Sequence, residues 1–354
     1  MKSEQKNITI QHVAERAGVS KMTVSRVLNH DSKVSDSTRT KVMDAVQELN
    51  YRPNISARQL AGSKSYFIGL LYDNPSQGYV SQFLLGALKR CRASGYHMVV
   101  DECQGGLQDK VRMTRDFVNT TRVDGVILLP PLCDIPEVLD TLKQSGTPFV
   151  RIAPDVDLEA SPYVCMDDYQ AAYEMTNELI QAGHRDIAFI IGHPNQGASR
   201  LRYQGFLDAL RSNRINCPPE YIEQGYFTYK SGLQAATKLL GLGNRPTAIF
   251  ASNDDMAAAV TSAAHIHGLS VPEDVSVVGF DDVELASSLW PPLTTIRQPI
   301  AEMAEAAIEL IRSGKLNNER TLRRSDYRHV IDFELVRRES LRTKNEAISQ
   351  RSVG

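Results

Sequence analysis

The stretch Ala17-Gly18-Val19-Ser20 restricts the fold of this 354-residue chain more than any other. Upstream, Ile10 to Ala17 reads as a helix that Thr9 can cap, and Gly18 supplies the left-handed residue that ends it. Downstream, the hydroxyl of Ser20 can accept from a free first-turn N–H and start a second helix running to Asn29. At about 100° per residue, Lys21, Met22, Ser25 and Arg26 share one face of that helix, and Val24, Val27 and Leu28 the other. A third helix, capped by Ser35, carries the apolar stripe Val42, Ala45, Val46 and Leu49. The pattern is helix, tight turn, helix, then a supporting helix.

The second helix therefore buries one side and presents two long cations, a thioether and a small hydroxyl on the other, as a helix entering the DNA major groove would. A small three-helix bundle without a nucleic-acid partner has the same spacing. Charge favours DNA. Residues 1–62 hold ten Lys and Arg against six Asp and Glu, while the remainder holds 30 against 36, so the basic end suits phosphate contact and the acidic remainder does not.

Next come Tyr51-Arg52-Pro53-Asn54, a helix stop, and Ile55 to Ala61, a short helical pattern with Asn54 as cap and Gly62 beyond it. A plain linker is the alternative, because an isolated helix this short is marginal. From Tyr66 onward, apolar strands alternate with amphipathic helices in two series, the second starting near residue 162. Fully apolar strands between helices imply parallel sheets covered on both faces. The expected fold is thus an all-α helix-turn-helix headpiece (1–52), a hinge (53–64) and an α/β core of two parallel-sheet subdomains (65–340). The N-subdomain is expected at 65–160 plus 297–324 and the C-subdomain at 161–296 plus 325–340, with a polar tail at 341–354. The segment Pro291 to Ile296 is expected to cross between subdomains, and the strand around Val330 to Leu335 to join the C-subdomain.

Five scattered cysteines without a Cys-x-x-Cys pair suit reduced thiols better than a disulfide framework. The N-terminus lacks the apolar stretch of a signal peptide, and no apolar run approaches the ~20 residues of a membrane span. These features point to the cytoplasm. Phosphate-binding glycine loops, His-Glu-x-x-His and Gly-x-Ser-x-Gly are all missing, so neither an enzyme nor a metal or cofactor is expected. Open α/β sheets nevertheless bind ligands at the carboxyl ends of their strands. There, the loop Asp73-Asn74-Pro75-Ser76-Gln77-Gly78-Tyr79 offers a carboxylate, amides and an aromatic ring, which suit a sugar or, equally, a cap and turn.

The run Ile10 to Asn29, with Val34-Ser35, Thr38-Arg39 and Leu49-Asn50-Tyr51-Arg52-Pro53-Asn54, resembles the head of the LacI/GalR family of bacterial repressors. That resemblance implies a periplasmic-sugar-binding-protein fold for the core and specific roles for residues. Arg26 becomes the candidate for base readout, with Lys21 and Met22 at the positions that vary with operator sequence. Lys21 can reach a guanine or only a phosphate, and Met22 can offer apolar contact. Thr9, Ser20, Thr23, Ser25, Asn29 and Ser35 are candidates for phosphate contact, though Thr23 also suits plain helix surface. Asn54, Ala57 and Leu60 match a hinge helix whose leucine wedges into the minor groove at the operator centre.

In the core, Arg202 in Arg-x-x-Gly-Phe matches the family's effector-binding arginine, and Asp281 in Gly-Phe-Asp-Asp its ligand-accepting carboxylate. Phe227 matches a stacking aromatic, and Asn253 and Asp254 another polar corner; given the resemblance, Asp73 and Tyr79 of the first loop become candidates for ligand contact. Asn253 and Asp254 suit helix caps as well, and Arg202 a surface ion pair. The chain departs from the pattern in three places. Arg151 stands where some members have an aspartate, and either substitutes for it or points away. Gln196 and Ala198 replace serine or threonine. The resemblance implies a homodimer on a pseudo-palindromic double-stranded operator, and the polar tail lacks a tetramerising leucine heptad. It further implies a repressor of sugar-catabolic genes, relieved by a small carbohydrate. The alternatives are a regulator using a purine-like corepressor and, from another class, a solute-binding protein.

Overall fold

The computed structural model describes residues 8–28, 33–51, 64–314, 316 and 327–342. It divides into two compact units, 1–66 and 67–354.

In the first unit, α1 (Ile10–Ala17), α2 (Lys21–Leu28) and α3 (Asp36–Glu48) enclose a small core of Val13, Ala14, Val24, Val27, Val42 and Ala45. Gly18 sits at φ 66°, ψ 34°, and the Val19 amide returns to the Ala14 carbonyl at 3.0 Å, closing α1 as a left-handed cap does. The Thr23 amide donates to Ser20 Oγ at 3.1 Å, the expected cap of α2. Arg16 pairs with Glu48 at 2.6 Å and ties α1 to α3.

The second unit contains two six-stranded sheets. The first comprises β1 (Phe67–Tyr72), β2 (His97–Glu102), β3 (Gly125–Leu128), β4 (Phe149–Ile152) and β5 (Tyr163–Cys165), in the order β2-β1-β3-β4-β5. The second comprises β6 (Ile187–Ile191), β7 (Ile222–Gln224), β8 (Ala248–Ala251), β9 (Ser276–Asp281) and β10 (Thr294–Arg297), in the order β7-β6-β8-β9-β10. Each sheet gains one late strand. β11 (Arg328–Val330) joins β5 in parallel, and β12 (Glu334–Val336) joins β10, the one antiparallel pairing among the described strands. Both sheets follow the doubly wound order whose ligand sites lie beyond the strands' carboxyl ends.

Helices cover both faces. In the first sheet these are α4 (Gln77–Ser94), α5 (Leu107–Thr121), α6 (Pro136–Ser145) and α12 (Ile300–Arg312). In the second they are α7 (Asp168–Gln181), α8 (Gly197–Ser212), α9 (Tyr229–Leu240) and α10 (Asp254–Ile266), with the short α11 (Glu284–Ser288) after β9. The interiors of β1, β3, β4, β6, β8 and β9 are buried, whereas β2, β7, β11 and β12 are only partly covered, and each fully buried Ile, Leu, Val or Phe stabilises by about 1.5–3 kcal/mol. Gly86 lets α4 approach α12 closely, since a Cβ there would meet the Ala301 Cα at 2.6 Å.

Strand pairing corrects three boundaries. β5, expected to open the C-subdomain, pairs with β4 in the first sheet. Thr294 to Arg297 do not cross but form β10 beside β9, and the crossing follows at Gln298-Pro299, before α12. Val330 and Leu335 lie in different sheets, so the chain crosses a third time between β11 and β12. Partner choice is a long-range property that no local apolar pattern encodes. The expected tail at 341 also starts too early: Arg342 bonds Ser276 Oγ and the Glu273 carbonyl, and Leu341 packs on the core. Along α4 the apolar residues split between two faces. Phe83, Ala87 and Cys91 are buried, while Leu85 and Leu88 are 69% and 50% exposed.

Candidate functional site

On the head, Lys21, Met22 and Arg26 all lie on the exposed side of α2, and Met22 is 65% exposed although it is apolar. Val24 and Val27 anchor the opposite side, so the packing that builds the head also fixes which side chains α2 presents. Thr9, Ser20 and Ser35 are exposed at the starts of the three helices, and Thr23 and Ser25 are half-buried on α2. Thr9 presents its hydroxyl beside His12 Nδ1 at 3.1 Å, and Ser35 Oγ reaches Thr38 Oγ1 at 3.0 Å. Asn29, Asn54, Ala57 and Leu60 lie outside the described residues.

In the core, the carboxyl ends of both sheets converge on one narrow cleft, the place where open α/β sheets bind ligands. The first sheet supplies Asn74, Ser76 and Tyr79 after β1, Pro130 after β3 and Ala153 after β4. The second supplies Gln196 and Ala198 after β6, Arg202 on α8, Phe227 after β7, Asp281 at the end of β9, and Gln298. Asp168, in the first turn of α7, stands where the chain leaves the first sheet for the second. Ala153, Phe227 and Asp281 hold φ of 43°, 59° and 121°, so three cleft residues adopt backbone conformations that L residues seldom take. Such strain gathers at ligand sites.

Arg202 is 4% exposed. Its Nε donates to Asp168 Oδ1 at 2.8 Å, its Nη1 donates to the Ser252 carbonyl at 2.6 Å, and Asp281 Oδ1 lies 3.7 Å from Nη1. The guanidinium centre lies 3.6 Å from the centroid of the Phe280 ring and 5.7 Å from that of Phe227. It is a buried, oriented fork, not a surface ion pair. Asp281 Oδ1 also accepts from Gln298 Nε2 at 2.5 Å. Burial pushes the Asp281 carboxyl up to about 7, against the opposing pull of Arg202 and the Gln298 bond. Phe227 closes the cleft from one side. A Cβ on Gly192 would stand 2.1 Å from Phe227 Cζ, so glycine is what admits the ring.

Three sequence-based assignments are corrected by these contacts. Arg151 is fully buried but spent on the following loop: Nε on Ser161 Oγ (3.1 Å), Nη1 on the Val156 carbonyl (2.8 Å) and Nη2 on that of Asp157 (2.5 Å). Asp73 pairs with Lys110 at 2.5 Å and is not among the cleft-lining residues. Asn253 caps α10, its Oδ1 accepting from the Met256 amide at 3.0 Å, and its Nδ2 holds the Phe227 carbonyl at 3.1 Å. It therefore positions the aromatic residue and does not line the cleft. Asp254 is likewise internal, taking Thr295 Oγ1 at 2.6 Å and the Val283 amide at 3.0 Å. Tyr79 does line the cleft, but from the first turn of α4, since Ser76 caps that helix and the expected loop is shorter.

Sequence reasoning missed Asp168 and Gln298 as site residues, and noted Gln196 only as a departure. The doubled acid Asp167-Asp168 was the available signal: Asp167 caps α7 by accepting from the Gln170 amide, which leaves Asp168 for Arg202.

The subdomains also touch across the cleft. Ser76 Oγ bonds Asp255 Oδ2 at 3.1 Å, Gln82 Nε2 bonds the Asp282 carbonyl at 3.0 Å, and Arg200 pairs with Asp155 at 2.5 Å. Among the described residues no helix is long and apolar enough to cross a membrane, and no cluster of three or more His, Cys, Asp or Glu is arranged to hold a metal.

Residues 9–54 match the family of bacterial regulatory proteins, lacI family, and residues 176–341 match the periplasmic binding protein-like domain. The chain is 32% identical over 327 residues to a probable HTH-type transcriptional repressor, ExuR, of Bacillus subtilis, covering 90% of this chain and 96% of that one. It is 36% identical over 310 residues to the ribose operon repressor of Escherichia coli, covering 86% and 92%. Its structure matches that of the Lac repressor dimer bound to operator and the anti-inducer ONPF, with a TM-score of 0.72 and 30% identity over 96% of this chain and 100% of that one. These relatives are repressors, not enzymes. With a helix-turn-helix head and a two-sheet effector-binding core, the chain belongs to the LacI family and is a DNA-binding transcriptional repressor.

Proposed function

We propose that the protein is a cytoplasmic, dimeric repressor of sugar-catabolic genes, released from its operator by a small carbohydrate held in the interdomain cleft. One observation carries this reading. The cleft sets the rings of Phe227 and Tyr79 beside the planar polar groups of Arg202, Asp168 and Asp281. Aromatic faces cover the C–H face of a sugar, and fixed planar groups bridge neighbouring hydroxyls. A ribose operon repressor among the relatives is in keeping with it.

The mechanism is linkage. Three chain crossings and the Ser76–Asp255, Gln82–Asp282 and Arg200–Asp155 contacts join the subdomains. A ligand that changes those contacts changes the angle between the sheets and shifts the population competent to bind DNA. A coupling of ~1–3 kcal/mol suffices for regulation. On DNA, Arg26 reads a guanine, Lys21 and Met22 tune the operator sequence, and Thr9, Ser20, Thr23, Ser25, Asn29 and Ser35 fix the head on phosphates. Asn54, Ala57 and Leu60 form the minor-groove hinge, with Leu60 as its wedge. The exposed Leu85 and Leu88 of α4 and Val100 of the edge strand β2 give a second copy apolar surface to cover.

Thermal shift of the purified protein with mono- and disaccharides and with purines tests the effector class. Stabilisation by a sugar and by no purine supports the reading. Stabilisation by a purine alone would replace it with a purine-responsive regulator on the same fold.

A further inference from the structure

Carboxyl groups outnumber cations in the cleft. Asp168 and Asp281 line it, and Asp255 adjoins it through Ser76. Against them stands one lining cation, Arg202, whose charge is already committed to Asp168 at 2.8 Å and to Asp281 at 3.7 Å. Lys110 is no reserve of positive charge, because it is bound to Asp73 at 2.5 Å.

A second observation is independent of charge. Gln196 is 6% exposed and lines the cleft, yet its Nε2 is buried with no hydrogen-bond partner. A buried amide donor left unsatisfied costs free energy unless something in the cleft accepts from it. Gln196 immediately precedes α8, so the start of that helix fixes where this donor stands in the cleft.

We propose that the cleft selects an uncharged polyhydroxy ligand, with hydroxyls donating to Asp168 and Asp281 and a ligand oxygen accepting from Gln196 Nε2, and that it rejects sugar acids and sugar phosphates. The proposal rests on the carbohydrate reading above and narrows it. A carboxylate or phosphate entering this cleft meets two carboxylates and a guanidinium they already neutralise. Protonating Asp281 does not reverse this, because Asp168 and Arg202 then leave no net positive charge. Gln196 is the specificity-determining residue: it offers donors without charge, where an arginine would recruit an anion.

Matched sets test the proposal: D-glucose, D-glucuronate and glucose 6-phosphate; D-galactose and D-galacturonate; D-ribose and ribose 5-phosphate. Each is titrated calorimetrically into the full-length protein, with hypoxanthine and guanine in parallel. The expected result is that the neutral member of a set binds at least tenfold more tightly than its anionic partners. Gln196→Arg should then narrow or invert that ratio, whereas Gln196→Leu should weaken the neutral sugar without recruiting the anion. An anionic member binding more tightly than its neutral partner overturns the charge selection and leaves the carbohydrate reading intact. Binding of a purine with no sugar bound overturns the reading beneath it. A neutral sugar bound equally by wild type and Gln196→Leu removes Gln196 from the account.

Discussion

Arg202 Nε and Asp168 Oδ1 are 2.8 Å apart, with both side chains 4% exposed. The pair joins α8 to the first turn of α7, immediately after β5, the strand from which the chain leaves the first sheet. A guanidinium that lines the cleft is thereby bonded to a carboxylate at the crossover between subdomains. Removing one partner of such a buried pair leaves an uncompensated charge, which costs about 3–5 kcal/mol. Arg202→Met should destabilise the core by that order and abolish the ligand's thermal shift. Urea unfolding of wild type and variant measures the first effect, and a loss below ~1 kcal/mol would mean that the pair behaves as a surface one.

The Asp281 carboxyl gives a pH signature. Its folded-state value is raised to about 7 from 3.8, mainly by burial. Below 3.8 both folded and unfolded states hold the proton and Asp281 imposes no penalty. As pH rises towards 7 the unfolded state releases the proton first, so stability falls across that window and levels off above it. Asp281→Asn should reduce the slope of the stability profile between pH 4 and 7, by up to about a few kcal/mol, while Asp254 and Asp255, whose carboxyls burial also raises, keep a residual slope. Equal slopes in the two proteins would show that Asp281 does not titrate there.

Gly192 has a narrow role. With Phe227 Cζ 2.1 Å from the position a Cβ would take, Gly192→Ala must displace the ring or the backbone after β6. Overpacking of this kind costs about 1–3 kcal/mol. Ligand affinity should fall as Phe227 moves. Calorimetry on Gly192→Ala and Phe227→Leu compares the two, and undiminished affinity in both would remove the aromatic from the site.

The head was the most legible part of the chain, for a physical reason. Gly18, Ser20 and the Val24, Val27 stripe act within a few residues of themselves, so local sequence determines them. Arg202 and Asp281 were singled out through the resemblance of Arg-x-x-Gly-Phe and Gly-Phe-Asp-Asp to family motifs and not from local pattern, and both line the cleft. What failed was long-range. β5 and Val330 were given to the wrong sheet because pairing depends on a partner elsewhere in the chain. Arg151 looked like a ligand group because its position at the end of β4 is right, but the loop through Ser161 offers it carbonyls that turn it inward. Gln196 drew notice only as a departure, since an unsatisfied amide exists only once its surroundings are built.

On the DNA side, Arg26 and Thr23 should separate by kind of effect. Arg26→Ala should cost ~1–3 kcal/mol on the preferred operator and relax preference at one base position. Thr23→Ala should weaken all sequences alike. Operator variants titrated at fixed salt distinguish the two, and a uniform loss for Arg26→Ala would assign it to phosphate.

In the linkage proposed above, ligand in the cleft weakens the grip on DNA. Its most direct test is fluorescence anisotropy of the full-length protein on a pseudo-palindromic operator from its own upstream region, at one salt concentration, with and without a neutral sugar that binds the cleft. Saturating sugar should weaken operator binding by roughly 5- to 150-fold. Tighter binding in the presence of that sugar would contradict it.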